Sequence, residues 1–389
     1  MHLIVLENEV TFSRGGQELN LFEICRGLSQ RGHNISVIYL KLGNLIEQYQ
    51  EFCDCLVKVN RYEFNRYKIA EILNFLPGIA SIWNIPTRKD GVVFCNAYNS
   101  IFFGYVLSLI KNIPLVCYFQ VPPSSKKVNY QKIIGFKNVK RFIAVSNQTK
   151  LNWVDFGIKE DAIDIVYNGT DIEKFKPSEK FFNLRKEWNI PENAKVISYV
   201  GRLDKEKGLE TLIAACALLV KSGISAKLLI AGKPILHFAA DGKENPEEGE
   251  KYKHSLKQLS KDLGIENYVD FLGHVSNTTS IYQVSDVTVL PSLWAEPFGR
   301  VIVESMACGT PVVASRVGGI PEILTGEFQS GLFEPGNERD LADTLIQTIN
   351  WRYTDSELGE RCREHILGKF TLDRMVDGIE KVLLKVALS

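Results

Sequence analysis

Two glutamates, Glu296 and Glu304, flank a Pro297-Phe298-Gly299 turn with seven residues between them. An acid inside such a unit is costly unless something partners it. A carboxylate can hold a diol through two hydrogen bonds, and sugars and riboses present diols. The pattern puts Glu304 at the start of a helix that ends at Gly309, with an apolar strand over 311–314 behind it. Helix N-termini favour anions such as phosphate.

A second group of charges is Gly201-Arg202-Leu203-Asp204-Lys205-Glu206-Lys207-Gly208, between a strand and a helix. Arg202 and Lys207 can both reach a diphosphate there, and the helix dipole adds to them. Taken alone, such a loop is most often just a solvated surface. Gly15 and Gly16 follow the first apolar strand. Without Cβ atoms their backbone can approach a phosphate or sugar closely, though a plain turn also accounts for them. The run Leu272-Gly273-His274-Val275 ends another strand, and Asn168-Gly169-Thr170-Asp171 and Gly318-Gly319 read as structural loops.

These residues need elements to hold them. Residues 2–6 form an apolar strand, Leu21, Ile24, Cys25 and Leu28 recur at helical spacing up to Gly32, and 35–40 is a strand again. That βαβ unit predicts a parallel sheet, extended by 91–95, 114–119 and 141–145. The same grammar restarts at Lys195: a strand at 196–200, a helix at 209–221 closed by Gly223, and strands at 226–231, 269–272, 287–290 and 311–314. The expected fold class is therefore α/β with two Rossmann-like domains. The divisions are an N-terminal domain at 1–170, a linker at 171–194 carrying Pro177 and Pro191, and a C-terminal domain at 195–371. The stretch 233–251, rich in Gly, Pro and Glu, reads as an exposed insertion. Open parallel sheets bind ligands at the carboxyl ends of their strands.

Composition narrows the class. Among 389 residues, 46 Lys and Arg balance 46 Asp and Glu, which argues against a globally basic nucleic-acid binder. The eight cysteines show no metal-ligand spacing with nearby His, so reduced thiols and a cytoplasmic setting are expected. The N-terminal residues run straight into a strand pattern, so no signal peptide is expected. The apolar runs at 101–110 and 209–220 fall short of a membrane span.

Around Glu296 and Glu304 the chain closely resembles the donor-binding signature of retaining family-4 glycosyltransferases, the group 1 enzymes. The resemblance is strongest over 195–335, moderate over 1–40 and 141–175, and weak elsewhere. It implies the GT-B architecture, two Rossmann-like domains facing across a cleft, with a last helix at 372–389 returning to the N-domain. It also implies site roles. Arg202 and Lys207 clamp the diphosphate, and Glu304 holds the ribose. Glu296, with the backbone of Phe298 and Gly299, addresses the donor sugar. Backbone near Val275 meets the base, and Gly15 and Gly16 approach the donor. Arg202, Lys207 and Glu296 are then the catalytic set. Many members carry a His where this chain has Gln120, after the run 114–119; Gln can hydrogen-bond a sugar but cannot titrate.

The implied reaction moves a sugar from a nucleotide diphosphate, UDP by default, to an acceptor hydroxyl with retention at the anomeric carbon. The acceptor hydroxyl attacks from the front face and the departing phosphate takes its proton. No Asp-x-Asp motif is present, so no metal and no cofactor are expected, the leaving charge being met by Arg202, Lys207 and helix N-termini. Glycan, polysaccharide or glycolipid assembly is the expected setting, with a sugar, glycolipid or small-molecule acceptor. Segments 60–68 and 126–141 mix basic with aromatic or apolar residues. They fit either peripheral contact with an anionic membrane or a solvated surface. An inactive glycosyltransferase-like partner subunit and a nucleotide-sugar epimerase on the same fold remain as alternatives. A dinucleotide dehydrogenase would need a Gly-x-Gly-x-x-Gly loop, which is absent.

Overall fold

Short runs of branched and aromatic residues, each ending at polar or glycine-rich loops, build two parallel sheets. A computed structural model describes residues 1–389 apart from 13–14, 65–67, 87, 125–127, 179–180, 189, 192, 235–236, 239–243 and 389. The chain divides into two compact units, Met1–Asn168 with Leu372–Ser389, and Gly169–Thr371.

The first unit holds strands β1 (His2–Glu9), β2 (Asn34–Lys41), β3 (Cys55–Lys58), β4 (Gly91–Cys95), β5 (Leu115–Phe119), β6 (Arg141–Ala144) and β7 (Ile163–Ile165). They lie in the order β3-β2-β1-β4-β5-β6-β7, all parallel. Helices cover a parallel sheet on both faces, so its central strands read as unbroken apolar runs. Every residue of β4 and β5 is buried accordingly. Trp153 stacks on Phe119 at 3.8 Å between ring centroids and donates its Nε1–H to the Val121 carbonyl.

The last helix, Leu372–Ala387, belongs to this unit, as the resemblance implies. Met375, Val376, Ile379, Leu383 and Val386 form its buried stripe. It lies close on helix Gly16–Gln30 because Gly27 has no side chain: a Cβ there would stand 2.8 Å from Val376 Cγ2. Arg31 and His33 close the contact on Glu380, at 2.6 and 2.5 Å.

The second unit holds β8 (Lys195–Val200), β9 (Ala226–Ala231), the two-residue pair β10 (His237–Phe238) and β11 (Glu244–Asn245), then β12 (Val269–Gly273), β13 (Val287–Leu290), β14 (Val312–Ser315) and β15 (Leu332–Phe333). Its main sheet runs β12-β9-β8-β13-β14-β15, all parallel. Both main sheets begin at an interior strand, run outward one way, then restart on the other side. The switch points fall between β1 and β4 and between β8 and β13, where open α/β sheets leave a crevice.

Two stretches differ from the sequence expectation. The 171–194 segment, read as a linker, packs into the second unit. Phe175, Ile190 and Ala194 are buried, and Arg185 reaches Asp286. Within 233–251, residues 235–236 and 239–243 lie outside the described ones, and helix Pro246–Asp262 starts at the far end. Tyr252 and Leu256, one turn apart, bury its inner face, and Tyr252 donates to Glu210 at 2.8 Å.

Asp286 ties the former linker down. It is 2% exposed, accepts from the Val196 N–H at 2.8 Å, and faces Arg352 Nε at 3.1 Å and Arg185 Nη2 at 3.4 Å. Removing one partner of such a buried set leaves the others uncompensated. Asp286→Ala should cost about 3–5 kcal/mol in chemical denaturation; a change within experimental error would show that the two arginines are solvated without it.

Candidate functional site

In the second unit two loops meet at the carboxyl edge between β8 and β13. After β8, Asp204 accepts the Glu206 N–H and shapes a single turn at Lys205–Lys207. Gly208 follows in the left-handed region, and a Cβ there would stand 2.0 Å from the Pro291 carbonyl oxygen. Only glycine permits this approach. The Leu293 N–H completes the join on the Glu206 carbonyl at 2.8 Å.

That join places Lys207 Nζ on Glu296 Oε1 at 2.5 Å. Ser292 Oγ donates to the same oxygen at 2.5 Å, and the Trp294 ring lies under Lys207 at 5.4 Å. Glu296 is 6% exposed. Both donors use Oε1, so among the described residues Oε2 has no hydrogen-bond partner. From behind, the Gly319 N–H holds the Glu296 carbonyl at 2.7 Å, and a Cβ on Gly318 would collide with that oxygen at 2.1 Å. The glycine pair at 318–319 thus shapes the backbone under Glu296.

Gly299 turns the chain with φ +109°, and helix Arg300–Ala307 starts directly after it. Glu304 therefore lies a full turn inside this helix, not at its start as the sequence suggested. The helix starts earlier than expected, directly after the Pro-Phe-Gly turn, because Gly299 can adopt the left-handed capping conformation. Glu304 is anchored by side chains: the Tyr282 hydroxyl donates to Oε2 at 2.8 Å, and Arg300 Nε lies 3.3 Å from Oε1. Burial, with Glu304 alongside, pushes the Tyr282 hydroxyl well above its ordinary range, so it remains a donor. Each Glu304 oxygen keeps lone-pair capacity for a further donor.

The other expected residues of this unit are dispersed around that centre. Arg202 is exposed and makes no ion pair among the described residues; its carbonyl accepts the Tyr199 hydroxyl at 2.6 Å. Phe298 is buried on Phe370, which leaves its backbone as its polar part. Val275 is half-buried just beyond β12, and His274 beside it is exposed. Asn168 accepts from Tyr118 within the first unit, while Asp171 caps the Glu173 and Lys174 N–H groups in the second.

In the first unit Gly15 is open, with nothing within 4 Å of a Cβ built on it, and Gly16 begins helix Gly16–Gln30. Gln120 is buried directly after β5. Its Oε1 accepts from Asn20 at 2.8 Å, and its Nε2 donates to Asn96 Oδ1 at 2.5 Å and to the Gln17 carbonyl at 3.1 Å. Asn96 then donates to Glu7 Oε2 at 2.6 Å, and the Asn8 N–H donates to Glu7 Oε1 at 2.6 Å. Glu7 is fully enclosed. Desolvation first, and Glu18 second, push its carboxyl from 4.5 up to about 8. Sequence reasoning missed Glu7, Asn20 and Asn96, and in the second unit Tyr282, Ser292 and Arg300. The available signal for Glu7 was an acid directly following the apolar run 3–6.

In the 60–68 stretch Asn60 and Lys68 are exposed, whereas the described residues from Arg61 to Phe64 are buried or half-buried. Tyr62 is buried, donating to the Glu7 and Ile38 carbonyls, and Phe64 packs on Phe75. Residues 65–67 and, in the 126–141 stretch, Lys126 and Lys127 lie outside the described ones. Lys132 is held by Glu63 at 3.3 Å and Asn99 at 2.9 Å.

Residues 180–365 match the family model for glycosyl transferases group 1, and residues 14–174 match that for glycosyltransferase family 4. The chain is 28% identical to an uncharacterised glycosyltransferase of Methanocaldococcus jannaschii, over 93% of this chain and 92% of that one. It is 33% identical to N-acetyl-alpha-D-glucosaminyl L-malate synthase of Bacillus anthracis, over 58% of this chain and 54% of that enzyme. Among solved structures it resembles HepE of Anabaena in complex with UDP, with a TM-score of 0.82 and 22% identity over 99% of this chain and all of that one. That likeness shows the GT-B fold.

Glu7 makes stability depend on pH. Its folded value lies above the ordinary 4.5, so the stability it confers is complete below that and is lost as pH rises through about 8. Glu7→Gln cannot ionise. Its Tm relative to wild type should therefore rise between pH 5 and pH 9. Parallel pH curves for the two proteins would show that Glu7 is not the buried acid responsible.

Proposed function

Because the chain belongs to the family-4, group 1 glycosyltransferases, we propose that it transfers a sugar from a UDP-sugar to an acceptor hydroxyl, with retention at the anomeric carbon. The observation that carries this reading is the pair of anchored carboxylates beside Lys207 at the switch point of the second unit. The HepE structure similar to this chain contains UDP, which favours that base. Glycan, polysaccharide or glycolipid assembly is the setting we favour.

In this reading Glu304, already oriented by Tyr282 and Arg300, accepts the ribose hydroxyls. Lys207 and the exposed Arg202 meet the diphosphate, and Glu296 offers its unpartnered Oε2 to a sugar hydroxyl. Val275, Phe298 and Gly299 contribute backbone, and in the first unit Gly15, with open space where a Cβ would stand, and Gly16 are the backbone we assign to donor approach. Negative charge grows on the diphosphate as the sugar leaves. Preplaced cations stabilise that charge without reorganising. The acceptor hydroxyl attacks from the face the diphosphate leaves, and a phosphate oxygen takes its proton. The protein's part is orientation and leaving-group stabilisation. With Arg202 and Lys207 in these roles, no metal is needed.

Calorimetric titration with UDP, GDP and ADP, with and without EDTA, tests the donor site. UDP should bind whether or not EDTA is present. Glu304→Ala should weaken it roughly ten- to hundred-fold, since a hydrogen bond to a charged group is worth about 1.5–3 kcal/mol. Equal affinity in the variant would remove Glu304 from the site, and loss in EDTA would reject metal independence.

A lipid-linked acceptor at an anionic membrane is the acceptor class we favour. Helix Ile69–Ile82 leaves Ile69, Leu73 and Leu76 on one exposed stripe, extended by Trp83, with the exposed Lys68 at its start. Liposomes containing anionic lipid should pellet the wild type at low salt, and Leu73→Asp should abolish this. Failure of the wild type to pellet would count against a membrane acceptor.

A further inference from the structure

The first unit encloses a carboxyl that this chemistry does not use. Glu7 lies in β1, two residues before its carboxyl end, and Asn96 and Gln120 stand just beyond the carboxyl ends of β4 and β5, beside the switch point of their sheet. Gln17 and Asn20 come from the first turns of the helix behind Gly15. We propose that Glu7 is a positioning residue that fixes the direction of the amide chain Asn96–Gln120–Asn20, so that Gln120 meets a ligand as a hydrogen-bond acceptor. The inference rests on the reading of the chain as a sugar transferase, whose ligands carry hydroxyls.

An amide side chain has a donor end and an acceptor end. A row of amides can therefore run either way, and the group at its end decides. Ionised Glu7 only accepts. It already accepts the Asn8 N–H on Oε1, so Asn96 must offer its NH₂ to Oε2. Asn96 Oδ1 then faces Gln120, which must offer its own NH₂. The second hydrogen of that NH₂ goes to the Gln17 carbonyl, while Gln120 Oε1 takes the Asn20 NH₂. Both Gln120 hydrogens are thereby used within the unit. What remains is a lone pair on Oε1, which suits a ligand hydroxyl that donates.

Protonated Glu7 behaves differently. With Oε1 held by the Asn8 N–H, its proton falls on the Asn96 side, and the whole row turns over. Gln120 would then offer N–H to the ligand and oppose its oxygen to the Gln17 carbonyl. Among the described residues, the titratable groups around Glu7 are Glu18 and Cys25 on helix Gly16–Gln30, Tyr49 on helix Ile46–Gln50, and Tyr62, whose hydroxyl donates to the Glu7 carbonyl. None of them is cationic. The carboxyl, raised to about 8, therefore takes both forms in the ordinary working range.

The test is a pair of variants of nearly unchanged shape. In Glu7→Gln the new NH₂ faces Asn96 and reverses the row. Adding Asn96→Asp puts a carboxylate one step along, accepting from the new Gln on one side and from Gln120 on the other, and restores Gln120's direction. At pH 9, Glu7→Gln should lose about tenfold in kcat/KM for transfer, the double variant should regain most of it, and UDP affinity should be unchanged in both. At pH 6, wild type and Glu7→Gln should converge. A single variant as active as wild type at pH 9, or a double variant no better than the single, would overturn the proposal. Absence of any transfer by the wild type would defeat the functional reading instead. The ¹⁵N side-chain amide signals of Asn96 and Gln120 then decide alone: a shift between pH 6 and 9 that Glu7→Gln abolishes supports the proposal, and no shift overturns it.

Discussion

The contact between Lys207 and Glu296 is the constraint around which the second unit is arranged. Neither group tolerates burial alone, and a buried charge without its partner costs several kcal/mol. Bringing them to 2.5 Å requires two loops from different strands to touch. That requirement explains Gly208 against Pro291 and Gly318 against Glu296, where any side chain would collide with a carbonyl. It also explains Ser292, which adds a second donor to the same oxygen. The pair is costly to assemble, but it leaves one carboxylate oxygen and one ammonium aimed at the same edge of the sheet. A binding surface with fixed charges of both signs needs little reorganisation when a charged ligand arrives.

Among its described residues, the first unit solves a similar problem without a cation. Its switch point also holds an acid, Glu7, yet the groups that satisfy it are backbone N–H groups and a row of neutral amides. Amides stabilise a buried carboxylate less than an ammonium does, which is why desolvation dominates and the carboxyl is held far above its ordinary range. The two units therefore present contrasting chemistry from one architecture. The second offers fixed charge, and the first offers direction, set by which end of each amide points where.

How much of this was legible in the sequence follows from the range over which each signal acts. Strand and helix periodicity is local, so both sheets could be read from apolar runs. The Lys207 and Glu296 loops could be read because each is a compact motif. Their supports were not: Tyr282 lies 22 residues from Glu304 and meets it only through the fold. Asn20 and Gln120 are 100 residues apart. Segment 171–194 was misread because its prolines and charges look like linker, whereas its few apolar residues and Arg185 have a buried partner surface that only the folded unit supplies. The pattern puts Glu304 at a helix start, whereas the left-handed Gly299 lets the helix begin at Arg300, a turn earlier.

Position 120 shows why a single substitution is a poor guide to lost chemistry. Where the family resemblance leads one to expect a titratable imidazole, this chain carries an amide, and a reading confined to that residue would conclude that proton-linked behaviour is gone. The surrounding side chains argue otherwise. Gln120 is joined through Asn96 to a carboxyl whose protonation changes near neutral pH, so the hydrogen-bonding character of position 120 still responds to a proton. The proton itself resides two side chains away, out of reach of any ligand. Such an arrangement cannot serve as a general acid, which must touch the atom it protonates. It can still determine whether a hydroxyl at Gln120 is met by an acceptor or a donor, which concerns orientation. In the reaction we propose, whose departing phosphate takes the proton, orientation is what the enzyme must supply.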